Sequence, residues 1–527
     1  MYKILISDKL AQEGIDLINA TEGFEAVVKT GLSEEELADI IGEYDGLIIR
    51  SATTVTPRVL ENCGKLKGVA RAGVGVDNIN IPEATRKGVL VMNTPGGNTL
   101  SAAEHTMALM LCLSRKIVPA CDKMKSGGWD RKLYMGNQLN NKTLGVIGLG
   151  RIGMAVVRMA LGFNMKVVGY DPFSIPQEAI KLGIEIAENL EHIYKNSDYI
   201  TLHIPRNKDT ENMISADTLA MMKPTTRVIN CARGGIINED DLYDALEKGV
   251  IAGAALDVFT EEPPKNRRFE TIDNCIVTPH LGASTEEAQI EVAVEAAKIL
   301  MDAIKGGPIK NALNAPSMGD STPKIVTAFS TLSAKMGTLM NCLKDGRVQK
   351  VTLEYRGEVA DEDISAVSTS FIIGLLQPNF DVNVNIVNAG FLAKERGIRI
   401  EEVKGTDSSN FSSRFTAKVK TDKGEASITG TVFEGSIEKI ISVNGYDVEF
   451  TPAGRVMLAW YCDKPGVIGA IGGACGRCNI NIGTMSVGRA NGKALMALTL
   501  DQDICGNAKT ALDSVDMLDK YVICNID

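Results

Sequence analysis

Through the first half of the chain, short apolar runs alternate with amphipathic stretches. KILIS (3–7), GLIIRS (46–51), GVARAGVG (68–75) and VLVMNT (89–94) read as buried strands, each closing near Gly, Ser or Thr. Between them, residues 34–43 and 57–63 carry helical patterning. Strands that alternate with helices predict a parallel α/β layer with ligands at the strand carboxyl ends. Residues 101–114 (SAAEHTMALMLCLS) are apolar on most faces, which predicts a buried helix. A second series follows the polar turn 140–143: LGVIG, KVVGYD, YITLHI, RVINC, AGAALDV and CIVTP. Strands this uniformly apolar suit the centre of a doubly wound sheet covered on both faces. A helix from Glu286 to Lys305 is expected to return the chain to the first unit.

The pattern changes near Pro316. VTLEYRGEV, SRFTAKVKTD, EASITGTVF and YDVEF alternate as strands after one or two helices, and from Arg455 the chain parses as βαββαβ. The expected class is therefore α/β. A flavodoxin-like unit (1–98 with 288–315) and a Rossmann-like unit (99–287) precede an α+β domain (316–452) and a ferredoxin-like domain (453–527).

Composition sets limits on this picture. With 527 residues, 44% apolar and 23% charged, the chain is globular and multidomain. A net charge of −10 argues against nucleic acid or an anionic membrane as partner. No apolar run reaches the ~20 residues of a membrane helix. The first eight residues lack signal-peptide character, so a cytoplasmic location is expected, and eleven cysteines fit reduced thiols there. The four histidines (105, 192, 203 and 280) show no zinc spacing, so no metal is expected.

The strongest local signal is LGVIGLGRIG. Gly148, Gly150 and Gly153 form G-x-G-x-x-G between a strand and a helix, and Asp171 ends the next strand. Such a turn lets a pyrophosphate approach backbone N–H groups at a helix N-terminus, and the acid holds a ribose. No Arg follows Asp171 to hold a 2′-phosphate, so NAD is favoured over NADP. Three polar groups sit at later strand ends: Arg233 in NCARGG, Glu262 in DVFTEEPP and His280 in TPHLGAS.

In these motifs and their order the chain resembles the NAD-dependent D-2-hydroxyacid dehydrogenases. The resemblance implies that Arg233, Glu262 and His280 are the catalytic set. His280 would exchange the alcohol proton, Glu262 would fix its tautomer and raise its pKa, and Arg233 would bind the substrate. It further implies that Arg151 and Ile152 line the pyrophosphate. His203, Ile204, Pro205, Cys231, Ala232, Arg233, Asp257, His280, Gly282 and Ala283 would approach the rest of NAD, with Asp257 accepting from the nicotinamide amide.

Arg50 and Arg71 end strands of the first unit, and Arg131 lies on a polar loop. In an acidic protein, cations gathered at strand ends suit a phosphate dianion. These positions resemble the branch of the family that oxidises 3-phospho-D-glycerate at the entry to serine synthesis. That likeness implies substrate contacts from Arg50, Arg71, Val74, Gly75 and Asn98, and from Arg131 across the interface of a homodimer or homotetramer. The last domain resembles ACT regulatory domains, which implies an L-serine effector held by Tyr461, Asp463 and Asn481. The middle domain resembles the intervening, allosteric substrate-binding type. Two other readings remain open: a hydroxypyruvate or glyoxylate reductase, and a non-enzymatic NAD-sensing corepressor. Cys475-Gly-Arg-Cys478 stands alone and reads as two helix-packed thiols.

Overall fold

Four sheets account for the alternation along the chain. The computed structural model describes residues 1–526 except 266, 320–321, 408–410, 491 and 505. The first sheet is wholly parallel: β1 (Tyr2–Ile6), β2 (Phe24–Val28), β3 (Gly46–Ile49), β4 (Gly68–Arg71) and β5 (Leu90–Asn93), in the order β2-β1-β3-β4-β5. This is the flavodoxin-like order, and its reversal between β1 and β3 opens a crevice beyond their carboxyl ends. The sequence reading missed β2. It is an edge strand with only Phe24 fully buried, so it lacks the unbroken apolar run of its neighbours.

The second sheet holds β6 (Thr143–Ile147), β7 (Lys166–Tyr170), β8 (Glu185–Ile186), β9 (Tyr199–Leu202), β10 (Arg227–Asn230), β11 (Gly253–Leu256) and β12 (Cys275–Val277). Its order, β12-β11-β10-β9-β6-β7-β8, is also parallel throughout and reverses between β6 and β9. The helix Thr99–Arg115 covers one face, with Ala103, Met107 and Met110 against Leu144, Ile229 and Ala255. The helix Glu286–Ile304 returns to the first sheet and packs Val292, Ala296 and Leu300 on Ile4, Ile48 and Ala70. These two helices join the lobes, and the crevices at the two strand reversals share the cleft between them.

The third sheet is mixed: β13 (Val348–Gly357), β14 (Arg399–Gly405), β15 (Ser413–Thr421), β16 (Glu425–Phe433), β17 (Ile437–Val443) and β18 (Tyr446–Phe450). Its order is β14-β13-β15-β16-β17-β18, and β14 runs parallel to β13. The sequence reading missed β14 and β17. β14 is an edge strand with no fully buried residue, so its Arg, Glu and Lys mask the period-2 signal. Helices Lys324–Leu343 and Ser365–Leu376 cross so closely that a Cβ on Gly337 would lie 2.2 Å from the Phe371 carbonyl oxygen. Only glycine fits there.

The fourth sheet has β19 (Gly454–Cys462), β20 (Ile482–Ala490), β21 (Lys493–Leu500) and β22 (Leu518–Ile526), antiparallel in the order β20-β21-β19-β22. β19 shows why its sequence is apolar without a break. Val456, Leu458 and Trp460 join the core of the preceding domain, while Met457, Ala459 and Tyr461 face the fourth sheet's own helix Val467–Arg477. The two C-terminal domains thus share a core. They are tied to the first sheet as well: Asn385 Nδ2 donates to the Gly88 carbonyl at 2.9 Å, and Val387 enters the core beneath β5. Among the described residues no helix is long and apolar enough to cross a membrane, and the cysteines are free thiols.

Candidate active site

The glycine-rich turn leaves β6 at the strand reversal, against the end of β9. Gly148 has φ +96°, and a Cβ on it would lie 2.4 Å from the His203 carbonyl oxygen. A Cβ on Gly153 would fall 2.0 Å from the Gly148 oxygen. Both glycines are required by packing. Gly150 differs, because a Cβ there would enter open space in front of the helix Arg151–Gly162. No side chain caps that helix, so its first N–H groups, beginning with Arg151 and Ile152, point into the same space. The turn therefore fits a dinucleotide pyrophosphate, with Gly150 leaving the room. Asp171 lies just past β7, and its Oδ2 accepts the Leu149 N–H at 3.0 Å, which brings the carboxylate to the turn.

His203 stays neutral, its pKa pulled down to about 4 by burial; its Nε2 lies 3.0 Å from Thr201 Oγ1. With Ile204 and Pro205 it forms a wall beside the turn rather than a proton donor. Burial pushes the Cys231 thiol up to about 12, so it is no nucleophile. Asn230 builds the Cys231–Arg233 turn: Oδ1 accepts the Ala232 N–H at 3.0 Å and Nδ2 donates to the Arg233 carbonyl at 2.9 Å.

The sequence reading aims Asp257 at the nicotinamide amide; in the structure its carboxylate is engaged by groups of the protein itself. Its side chain is fully buried and already receives four donors. Oδ1 accepts from Thr278 Oγ1 (2.6 Å) and the Leu281 N–H (2.7 Å) and faces His105 Nε2 (3.1 Å), and Oδ2 accepts from the Gly282 N–H (2.8 Å). Burial alone would raise its pKa, but those hydrogen bonds hold it below the usual range. Asp257 thus anchors the 278–282 loop, assisted by Ser101 Oγ, which donates to the Gly282 carbonyl at 2.9 Å. Ala283 ends this loop, its carbonyl taking Gln289 Nε2 at 2.6 Å.

That anchoring presents His280. Its backbone sits at φ +56° and its N–H donates to the Asp257 carbonyl at 2.9 Å. Nδ1 lies 2.7 Å from Glu262 Oε2, and Glu262 Oε1 accepts the Phe259 N–H at 3.1 Å. The hydrogen bond His280 donates to Glu262 raises the His280 pKa above its ordinary value, with burial opposing it. Glu262 feels burial upward first, yet the bonds from His280 and Phe259 hold it low. With Nδ1–H directed to the carboxylate, Nε2 is left to exchange a proton in the cleft.

Arg233 lies in the turn after β10 and reaches the other lobe. Its Nε donates to Asp77 Oδ2 at 3.2 Å, and its guanidinium presses on Gly75, where a Cβ would lie 1.8 Å from Nη2. Arg71 lies alongside, its pKa drawn down to about 10 by burial first and then by the Arg233 and Arg50 cations. Arg233 also acts on His280, in the lowering direction. So Arg50, Arg71, Arg233 and His280 share one crevice with the Val74–Gly75 turn, where Asn93 Nδ2 donates to the Val74 carbonyl at 2.6 Å. Arg50 Nε and Asn98 Oδ1 are buried with no hydrogen-bond partner among the described residues. Orphaned buried polar atoms at a cleft mark where a ligand makes up the deficit.

Comparison with known proteins agrees with this architecture. The model of the D-isomer specific 2-hydroxyacid dehydrogenase NAD-binding domain matches residues 107–282, and that of the D-3-phosphoglycerate dehydrogenase intervening domain matches 325–444. The chain is 42% identical to D-3-phosphoglycerate dehydrogenase of Synechocystis, over 96% of this chain and 91% of that one. It is 40% identical to that of Bacillus subtilis over 96% of both. The chain belongs to the D-3-phosphoglycerate dehydrogenase family. Among solved structures, D-lactate dehydrogenase from Aquifex aeolicus, complexed with NAD and lactic acid, aligns with TM-score 0.53 and 28% identity. It covers 60% of this chain and all of that one.

Two predicted sets do not converge within this family member. Arg131 is exposed beyond the helix Ile117–Lys125, and Leu133 and Tyr134 just after it lie by Arg227 and Asn274, at the amino ends of β10 and β12. That is the end of the sheet opposite His280. Asp463 pairs with Arg489 at 3.2 Å, whereas Asn481 Nδ2 donates to Asp501 at 2.6 Å. These are opposite ends of β20, roughly 25–30 Å apart at ~3.3 Å per residue. Tyr461 is 1% exposed and packs in the core of the last domain.

The sequence reading passed over Asp8, Asp77, Asn78, Asn230 and His105, all of which position the residues it did find. Asn230 stands inside the quoted motif NCARGG, and Asp77 lies two residues past GVARAGVG. Nothing but their place beside an arginine marked them.

Proposed function

We propose that this chain oxidises 3-phospho-D-glycerate to 3-phosphohydroxypyruvate with NAD. The observation that carries the reading is the grouping of Arg50, Arg71 and Arg233 in the crevice that also holds the His280–Glu262 pair. Guanidinium groups suit the two anionic ends of this substrate. Arg233 holds the carboxylate and hydroxyl oxygen, and Arg50 and Arg71 hold the phosphate. His280 Nε2 takes the hydroxyl proton, and Glu262 stabilises the resulting imidazolium. NAD, when bound, supplies the hydride acceptor.

A coupled assay tests the substrate. Reduction of 3-phosphohydroxypyruvate by NADH is expected to exceed that of hydroxypyruvate in kcat/KM by about 10²-fold or more, the contribution of a charge-paired phosphate. Equal values would move the chain to the hydroxypyruvate or glyoxylate reductases. In the serine-synthesis reading, L-serine bridges ACT domains of two copies through Asp463 and Asn481. A rate unchanged by serine in the same assay removes that effector.

The segment around Arg131 supports a dimer. Met124, Trp129 and Met135 are 54%, 75% and 75% exposed, an apolar surface suited to a second copy. In that dimer Arg131 serves the neighbouring cleft. Mixing and reannealing the inactive variants Arg131→Ala and His280→Ala should then restore up to about a quarter of wild-type activity, since a mixed dimer has one intact site. No recovery would show that Arg131 does not act in trans.

A further inference from the structure

Asn78 lies seven residues beyond Arg71, and its side chain ties together the ends of two strands. Nδ2 donates to the carbonyl oxygens of Arg50 (2.7 Å) and Thr53 (2.6 Å), and Oδ1 accepts from Arg71 Nε (3.1 Å). Its own carbonyl receives the Val55 N–H at 2.8 Å. From the other side of the crevice Asp8 holds the same loop. Asp8 Oδ2 accepts the N–H groups of Arg50 (2.5 Å) and Thr53 (3.2 Å), and Oδ1 accepts the Thr53 hydroxyl (2.7 Å).

We infer that Asn78 is a positioning residue that sets the directions of Arg50 and Arg71 together, so that they meet a phosphate dianion as a prearranged pair. The inference rests on the reading that these arginines bind the substrate phosphate. All three uses of the amide converge on that pair: two hold the backbone that carries Arg50, and one holds the Arg71 guanidinium.

The choice of an amide has a chemical reason. A carboxylate in the same place would form an ion pair with Arg71, cancel the charge the phosphate needs and compete with it. An amide oxygen fixes the direction of Nε and leaves the cation whole. A neutral tether also meets a specific difficulty here, because Arg71 sits among like charges from Arg50 and Arg233. Without it, the guanidinium groups would swing apart, and each binding event would repay the cost of gathering them.

The test uses the full-length protein with NADH and either 3-phosphohydroxypyruvate or hydroxypyruvate. Asn78→Ala is expected to raise KM for the phosphorylated substrate about tenfold or more, with KM for NADH and kcat/KM for hydroxypyruvate within about twofold of wild type. In an Arg50→Ala/Arg71→Ala background the same substitution should add less than about twofold, because nothing remains to be positioned. Asn78→Asp should be at least as damaging as alanine.

Four results would overturn the inference. KM could stay unchanged in Asn78→Ala while the arginine variants raise it. The rise could persist in the double-arginine background, or both substrates could suffer equally. Asn78→Asp could keep the native KM. A different pattern, in which the arginine variants themselves leave KM for the phosphorylated substrate unchanged, defeats the phosphate reading and this inference with it. Should alanine give insoluble protein, Asn78→Ser replaces it; failure of both to fold would assign Asn78 to stability and end its positioning role.

Discussion

Replacing His280 by alanine is expected to lower kcat by about 10²- to 10⁴-fold, the usual contribution of a positioned acid–base group, with NADH binding unchanged by fluorescence titration. In the proposed mechanism the imidazole accepts the proton when the alcohol is oxidised and donates it in the reverse direction. The glycine-rich turn and Asp171 lie on other strand ends and do not depend on it. A variant that kept more than about half of wild-type kcat would remove His280 from the chemistry. Glu262 makes the pH profile diagnostic. Because its hydrogen bond raises the His280 pKa above 6.5, kcat/KM for oxidation should climb through that raised value, while the reduction, which uses the imidazolium, falls. Glu262→Gln withdraws the charge that favours the imidazolium and should move both limbs to lower pH; limbs that stay in place would break the pair's assignment. The same shift links folding to pH. The stability it gives is fully present below pH 6.5 and is lost as pH rises through the raised value.

The second large effect belongs to Arg233. Its removal is expected to lower kcat/KM by about 10³-fold, split between KM and kcat, because a bidentate fork to the carboxylate strengthens as the carbonyl forms. Arg233→Lys should recover little of this, since an ammonium offers a point charge in place of the planar fork. The native contact with Asp77 adds a signature. Binding of the substrate carboxylate competes with that ion pair, so the loss in Arg233→Ala should come with a weaker salt dependence of KM than in wild type. A variant within tenfold of wild type would place the substrate elsewhere.

What the sequence made legible, and what it hid, follows from physical signals. Strands buried on both faces, such as β6 and β9, announce themselves as apolar runs, and the G-x-G-x-x-G turn adds spacing that only a few backbones satisfy. Edge strands carry no such mark. β2 and β14 are half-exposed, and their charged positions look like loop. β19 shows the opposite limit, in which an unbroken run was read correctly as a strand but concealed that its two faces serve two different domains. Within the site, chemistry-bearing residues were readable because their types are few: four histidines in 527 residues leave little choice for a proton carrier. Positioning residues were not. Asn78 and Asp8 are ordinary residues in ordinary loops, and their role appears only when folding brings residues 8, 50, 53, 71 and 78 around one point. Asp257 was ambiguous for the same reason, because a strand-end acid looks the same whether it faces a ligand or the protein's own amides.

The seating of Asn385 on the helix end at Gly88 assigns a side to the C-terminal half of the molecule. That half is bolted to the lobe bearing the guanidinium trio's first two members, through a side-chain amide on a main-chain oxygen and a valine sunk beneath β5. Substitutions that loosen that seating, such as Asn385→Ala, are therefore expected to change KM for the acid before KM for NADH, since the lobe it grips carries Arg50 and Arg71.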